Sequence, residues 1–109
     1  MCVDYRALNR VTKGDAYPLP RIDDMLEALH GASWFTSLDL ASGFWQVEMD
    51  QNDQEKTAFI SHQGLYEFTV MPFGLRGAPA TFQRLMNIVC SGLAWTTLLV
   101  YLDDTIVLC

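Results

Sequence analysis

The chain has 109 residues, which is enough for one domain with a hydrophobic core. Half of the residues are hydrophobic and 18% are charged, a composition that excludes intrinsic disorder; no apolar run approaches the roughly 20 residues of a membrane span. Thirteen acidic against seven basic residues give a net charge of −6, whereas free-standing nucleic-acid-binding domains are usually basic.

The first predicted regular element is a helix that follows an irregular segment. Residues 1–21 are predicted to be irregular because Pro18-Leu19-Pro20 interrupts both helices and central strands. Apolar residues then recur at i, i+3, i+4 and i+7, which predicts an amphipathic helix that ends before Gly31. This apolar stripe consists of Ile22, Met25, Leu26 and Leu29.

Four strands are predicted in the next part of the chain. Trp34–Leu40 is apolar enough for a buried strand, and Trp45–Asp50 alternates apolar and polar residues like a half-buried strand. After a polar break, Thr57–Ser61 and Leu65–Val70 predict two strands that turn at Gln63-Gly64.

A loop, a helix and a hairpin are predicted for the last part. Met71–Gly74 contains Pro and Gly and predicts a loop, and Pro79 suits the first turn of a helix. Two β-prone runs within Leu98–Leu108 flank a pair of aspartates and predict a buried hairpin with carboxylates near its tip. The apolar stripe of the helix consists of Phe82, Leu85, Met86, Val89 and Leu93.

The cysteines and the N-terminal residues point to an intracellular protein. Cys2, Cys90 and Cys109 are widely separated and form no C-x-x-C pair, which argues against structural zinc and against a disulfide framework. The first six residues lack the charged-then-apolar layout of a signal peptide.

The aspartates in apolar surroundings are the candidate chemical groups. Asp103 and Asp104 would repel each other, and no Lys or Arg follows Arg84 to neutralise them. Asp39 interrupts a similar strand, so three carboxylates would converge if the strands are neighbours. The alternatives are that the Asp-Asp pair only forms a hairpin turn and that Asp39 is a helix N-cap.

Three converging carboxylates suit hard divalent cations, above all magnesium, with manganese as the alternative ion. Two such ions about 3.5–4 Å apart can hold the attacking and leaving oxygens of a phosphoryl transfer. Their charge would outweigh that of three carboxylates and make the site locally cationic.

Motifs in family order cover nearly the whole chain and resemble the reverse transcriptases of gypsy-type LTR retrotransposons. Tyr101-Leu102-Asp103-Asp104 matches the Y-x-D-D signature, and Ser37–Gln46 resembles the first catalytic motif of that family. The other matching segments are Val3–Asn9, Tyr17–Ile22, Lys56–Phe59, Gly64–Phe68, Met71–Leu75 and Ala78–Gln83. One departure is Arg76-Gly77, where the family commonly has Thr or Cys followed by Asn.

The resemblance implies a role for each matching position. Asp39 and Asp103 would bind two magnesium ions directly, and Asp104 would complete the catalytic cluster. The backbone of Leu40 would provide a ligand for the metal ion. Tyr101 would pack near the primer end. The nucleotide-binding positions would be Leu40, Ala41, Phe44, Phe73, Gly74 and Gln83.

Three of these positions have structural alternatives. Phe44 would pack under the sugar and exclude a 2′-hydroxyl; the alternative is that Phe44 is an aromatic residue of the hydrophobic core. Gln83 is also compatible with a solvated helix face, and Tyr101 with a core tyrosine.

The resemblance also implies an α+β fold in which a palm-type antiparallel sheet is backed by helices near 22–29 and 79–93. Residues 1–109 would form a partial reverse transcriptase domain, with fingers and connecting segment up to about residue 35 and palm with inserted fingers-type strands over 36–109. The rest of the palm, a thumb and a ribonuclease H domain would belong to the remainder of a Pol polyprotein.

The expected function is that of an RNA-directed DNA polymerase in cytoplasmic virus-like particles. It would use a template–primer of RNA or DNA and deoxynucleoside triphosphates, with no membrane partner. On its own this chain is expected to be inactive. The alternatives are an inactive retrotransposon remnant, a metal- or nucleic-acid-binding module without turnover, and a metal-dependent hydrolase that needs no primer.

Overall fold

The computed structural model describes residues 2–93 and 97–108; Met1, residues 94–96 and Cys109 lie outside the described part. Helices and antiparallel strands are both present, which confirms the predicted α+β class. The elements in chain order are α1 (Arg6–Val11), α2 (Ile22–Ala28), β1 (Phe35–Asp39), β2 (Phe59–Ser61), β3 (Gly64–Tyr66), α3 (Ala78–Val89), β4 (Leu98–Tyr101) and β5 (Asp104–Leu108).

Two compact units are built from alternating parts of the chain. The first contains the residues up to Asp15 together with Ser42–Ala78, and the second contains Ala16–Ala41 together with the residues from Pro79 onward. None of the helices in the described ranges is long and apolar enough to cross a membrane.

The second unit contains a three-stranded antiparallel sheet in the order β1-β5-β4. The predicted strand at the first catalytic motif and the predicted hairpin near the C-terminus are both present. All residues of β4 except Tyr101 are buried, but all five residues of β1 are exposed. The prediction of a buried strand is wrong here because β1 is an edge strand whose main contacts are with β5.

Helix α3 supplies the core that lies behind the hairpin. Pro79 occupies its first turn, where the missing N–H is not needed for a helical hydrogen bond. Phe82, Gln83 and Met86 are buried, and Phe82 is only 1% exposed. Ile88 is 67% exposed, so one side of the helix remains at the surface.

Helix α2 forms as predicted, but part of its apolar stripe is at the surface. Ile22 and Leu26 are 63% and 60% exposed, whereas Met25 and Leu29 are half-buried, and the helix contains no fully buried residue. Gly31 has a φ of 88°, the left-handed conformation expected just past the end of a helix.

In the first unit, helix α1 corrects the prediction that residues 1–21 are irregular. The Tyr5 hydroxyl donates to the Thr57 carbonyl at 2.9 Å, and Asn9 Nδ2 donates to the Gly74 carbonyl at 2.8 Å. The Arg76 N–H donates to Asn9 Oδ1 at 2.8 Å, and its guanidinium donates to the Thr12 carbonyl at 3.0 Å. The helix is thus held by residues more than 50 positions away, which local sequence patterns do not reveal.

The predicted strand Trp45–Asp50 is wrong in its first half. Gly43–Gln46 is a 3₁₀ helix, whereas residues 47–49 pair with residues 69–71 through an isolated bridge between Glu48 and Val70 and two backbone hydrogen bonds. The alternation of apolar and polar residues is real, but the preceding Ser42 has a left-handed φ of 51° that turns the chain out of the extended conformation.

The hairpin of β2 and β3 is present but shorter than predicted. Ser61 pairs with Gly64, so the turn consists of His62 and Gln63. Phe59 and Tyr66 are opposite each other and stack with ring centroids 5.8 Å apart. The loop at Met71–Gly74 agrees with the prediction.

Candidate active site

Antiparallel pairing in the second unit brings the three aspartates together at one end of the sheet. Asp39, the last residue of β1, lies directly opposite Asp104, the first residue of β5. Asp104 also pairs with Tyr101 across the hairpin, so the two-residue turn consists of Leu102 and Asp103. The predicted convergence of the carboxylate-bearing residues is therefore present in the fold.

Backbone hydrogen bonds join the turn to the end of β1. The Leu40 N–H donates to the Asp103 carbonyl at 3.1 Å. Because the Leu40 N–H is used in this bond, the Leu40 carbonyl oxygen is the backbone group that would bind a metal ion. Ala41 follows on the same segment and is exposed.

The Asp103 carboxyl group is in an unfavourable environment for its charged form. Burial, followed by the charges of Asp39 and Asp104, raises the pKa of Asp103 above its ordinary range. Its Oδ1 atom is buried and accepts no hydrogen bond from any residue that the structure describes. Buried carboxylate oxygens without a partner are costly and mark a place where a cation would be favourable.

The site fits magnesium in the chemistry of its donors. Hard carboxylate and carbonyl oxygens are the ligands that magnesium prefers, and the unpartnered Asp103 Oδ1 is available to such an ion. Within residues 2–93 and 97–108, however, no three acidic, His or Cys side chains are already gathered as a metal-binding group. Binding would therefore require these carboxylate side chains to rotate toward a common point.

We expect Asp103→Asn to make the chain more stable at neutral pH when no divalent cation is present. Because the pKa of Asp103 is raised by folding, the folded chain holds this proton to a higher pH than the unfolded chain. The contribution of Asp103 to the free energy of unfolding therefore falls as pH rises above about 3.9, the pKa of an unperturbed aspartate.

Thermal melts in EDTA at pH 7 and at pH 3.5 would measure this effect. The melting temperature of Asp103→Asn should exceed that of the unsubstituted chain by a few degrees at pH 7 and by much less at pH 3.5. Asp23→Asn is the control, since Asp23 lies in the first turn of α2, where a negative charge is favourable. An equal difference at both pH values for Asp103→Asn would contradict the electrostatic explanation.

Two further predicted site residues, Gln83 and Tyr101, also belong to the second unit. Tyr101 is half-buried at the end of β4. Gln83 is 0% exposed, and its amide bonds to the Val100 carbonyl and to the Leu102 N–H. The alternative of a solvated helix face is thus wrong for Gln83.

Phe44, Phe73 and Gly74 belong to the first unit. The rings of Phe44 and Phe73 are in contact, with centroids 5.1 Å apart. Trp45 approaches the same Phe73 ring edge-on at 5.6 Å. Two of the residues predicted to contact a nucleotide therefore form one aromatic cluster, and Phe73 is half exposed.

Sequence reasoning missed two residues of these groups. Trp45 completes the aromatic cluster, although it was assigned to a strand. Asn87 accepts a hydrogen bond from Gln83 Nε2 at 3.2 Å. The available signal for Asn87 was its position one helical turn after Gln83, where polar side chains on a helix meet.

Comparison with known proteins gives a consistent result over the whole chain. The family described as "Reverse transcriptase (RNA-dependent DNA polymerase)" matches residues 1–109. An "RNA-directed DNA polymerase homolog" of Oenothera berteroana is 50% identical over 107 residues, which cover 98% of this chain and 75% of that protein. The "Retrovirus-related Pol polyprotein from transposon 297" of Drosophila melanogaster is 51% identical over 105 residues, which cover 96% of this chain.

The chain spans only 10% of the transposon 297 polyprotein. Among solved structures, the foamy viral protease-reverse transcriptase in complex with double-stranded DNA matches with a TM-score of 0.86 and 25% identity. That match covers 95% of this chain and 18% of the viral chain.

Proposed function

The chain belongs to the reverse transcriptase (RNA-dependent DNA polymerase) family, and we propose that it carries the catalytic carboxylates for magnesium-dependent DNA synthesis. In this reaction, the primer 3′-hydroxyl attacks the α-phosphate of a deoxynucleoside triphosphate on an RNA or DNA template, and pyrophosphate leaves. The observation that carries this proposal is the register of the sheet, which sets Asp39 opposite Asp104 with Asp103 in the adjoining turn.

In this proposal, Asp39 and Asp103 bind magnesium directly, Asp104 completes the acidic cluster and the Leu40 carbonyl adds a backbone ligand. The buried, unpartnered Oδ1 of Asp103 supports its assignment. Bound magnesium would supply the positive charge that aligns and stabilises the reacting phosphate oxygens. The protein contributes position and charge rather than covalent chemistry.

The aromatic cluster of the first unit carries the proposed contacts with the nucleotide. Phe44 would pack against the sugar and exclude a 2′-hydroxyl, while Phe73 and Gly74 would lie over the nucleotide. The half-exposed Phe73 ring, in contact with Phe44, supports this assignment. Ala41 would offer its backbone to the triphosphate, and Tyr101 would pack near the primer end.

The proposed partners are a template–primer and the other parts of a Pol polyprotein. The solved foamy viral relative is in complex with double-stranded DNA, and the transposon 297 relative is a Pol polyprotein. We propose that this chain likewise works as part of a larger polyprotein, from a gypsy-type LTR retrotransposon.

A chimaeric polymerase would test the proposed function. This chain would replace the matched segment of the transposon 297 polyprotein, to which it is 51% identical. Primer extension on primed RNA would be measured with magnesium, with manganese and with EDTA. We expect extension with either metal ion and none with EDTA.

A folded chimaera that binds primed RNA but does not extend it would contradict the proposed function and favour a binding module without turnover. The unmodified transposon 297 enzyme is the positive control. Turnover of triphosphate without a primer would instead indicate a hydrolase.

A further inference from the structure

The side-chain amide of Gln83 bonds to the backbone on both sides of Tyr101. Gln83 Nε2 donates to the Val100 carbonyl at 3.2 Å, and Gln83 Oε1 accepts from the Leu102 N–H at 2.7 Å. The orientation of the amide follows from its partners, because a backbone N–H only donates and a carbonyl only accepts. These bonds join α3 to the hairpin where β4 ends.

The hairpin turn needs such support because Leu102 is in a costly conformation. Its φ of 54° lies in the left-handed region, which is unfavourable for a non-glycine residue because its Cβ atom crowds the following carbonyl oxygen. Residues in this conformation persist when surrounding contacts hold them there. Gln83 holds the N–H of Leu102, and the Leu40 N–H holds the carbonyl of the next residue, Asp103, at 3.1 Å.

Further hydrogen bonds hold the side chain of Gln83 in place. Its Nε2 also donates to Asn87 Oδ1 at 3.2 Å, and Asn87 Nδ2 donates to the Tyr17 hydroxyl at 2.6 Å. Both amide hydrogens and the amide oxygen of Gln83 are therefore used within the protein. Because Gln83 is fully buried, water does not replace these bonds if the side chain is removed.

We propose that Gln83 is a positioning residue that holds the Leu102–Asp103 turn, and with it the backbone of Asp103, at the end of the sheet where Asp39 and Asp104 lie opposite each other. The inference rests on the proposed function, since it assigns to Gln83 a role in presenting a metal-binding carboxylate rather than in contacting the nucleotide. Residues that orient metal ligands typically change metal affinity by about 10-fold to 100-fold when they are replaced.

The test uses Gln83→Met in the full chain, because methionine keeps the length of the side chain and removes all three hydrogen bonds. Phe82→Leu is the matched control: Phe82 is the neighbouring buried residue and has no polar atom for the turn. Nuclear magnetic resonance would measure hydrogen exchange of the Leu102 N–H relative to the β5 amides. The same samples would be titrated with Mn²⁺, and broadening of the signals of residues 39–41 and 102–105 would be followed.

We expect the Leu102 N–H to be protected in the unsubstituted chain and to exchange about 10-fold faster in Gln83→Met. The Mn²⁺ concentration for half-maximal broadening should rise about 10-fold. Phe82→Leu should change neither quantity, even if it lowers the melting temperature as much. Unchanged Mn²⁺ affinity in Gln83→Met, or an equal loss in Phe82→Leu, would overturn the inference.

The exchange measurement on the unsubstituted chain decides the matter even if Gln83→Met does not fold. A Leu102 N–H that exchanges at the rate of an unprotected amide means that Gln83 does not hold the turn. Failure of the proposed function has a different signature: Mn²⁺ broadening that is absent from the unsubstituted chain, or that persists in Asp103→Asn. In that event, both the metal assignment and the role of Gln83 in metal affinity are wrong. The contradicting results described for Gln83→Met, Phe82→Leu and the Leu102 N–H concern Gln83 alone and do not contradict the metal assignment.

Discussion

The Asp103→Asn variant of the chimaeric polymerase should lose primer extension by about 10²-fold to 10³-fold, the scale of removing one preorganised charge-stabilising group. Asparagine has nearly the size of aspartate, so the turn and its backbone bond with Leu40 are retained. What changes is the charge, because a neutral amide replaces the carboxylate whose Oδ1 is buried without a partner. Loss of activity should therefore occur without loss of fold.

Primer extension and circular dichroism on the same preparation would separate these two effects. Asp23→Asn is the matched control, since it makes the same chemical change in the first turn of α2, and it should extend primers normally. Near-normal extension by Asp103→Asn would rule out the metal assignment. Parallel loss of extension and of circular dichroism signal would show that Asp103 acts through folding instead.

The Phe82→Ala variant should be less stable than the unsubstituted chain by about 3–5 kcal/mol, the usual cost of deleting a buried phenyl ring. Phe82 is 1% exposed and belongs to the buried face of α3, which also carries Gln83. Small domains have total stabilities of about 5–15 kcal/mol. The substitution is therefore expected to remove a large part of the stability of the chain.

Urea denaturation followed by circular dichroism would measure the change. Ile88→Ala is the control on the same helix: Ile88 is 67% exposed, and its substitution should alter stability by only about 0.5 kcal/mol. Similar effects of both substitutions would mean that the buried face of α3 does not form in solution. Absence of a cooperative transition in the unsubstituted chain would favour the alternative of an unfolded remnant.

Local patterns were sufficient for the elements that place the aspartates. Apolar spacing identifies α3, and β-prone runs identify the hairpin around Asp103 and Asp104, because helix and strand periodicities are properties of short segments. The convergence with Asp39 was predicted on the condition that the two strands are neighbours. The register that sets Asp39 opposite Asp104 meets this condition.

Patterns failed where distant residues determine the local conformation. Helix α1 depends on bonds from Asn9 to Gly74 and Arg76, which lie more than 60 positions away. The segment after Ser42 has the alternation of a strand, yet it begins with a 3₁₀ helix. Phe35 and Leu38 of β1 and Ile22 and Leu26 of α2 are exposed. The reason is that burial of an apolar face needs a second surface, and periodicity identifies only the first.

The sequence by itself determined the family, through the resemblance of its motifs, and the α+β class that this resemblance implies. It also identified Asp39, Asp103 and Asp104, because carboxylates within apolar, strand-like segments are visible from residue types at short spacings. Only the tertiary structure decided that Gln83 is buried and bonded to the hairpin rather than exposed on its helix. The physical reason is that the spacing of residues along a helix does not show whether a polar side chain faces solvent or a hydrogen-bond partner within the protein. Its role depends on which backbone groups the fold brings within hydrogen-bonding distance, and here these are the groups at Val100 and Leu102.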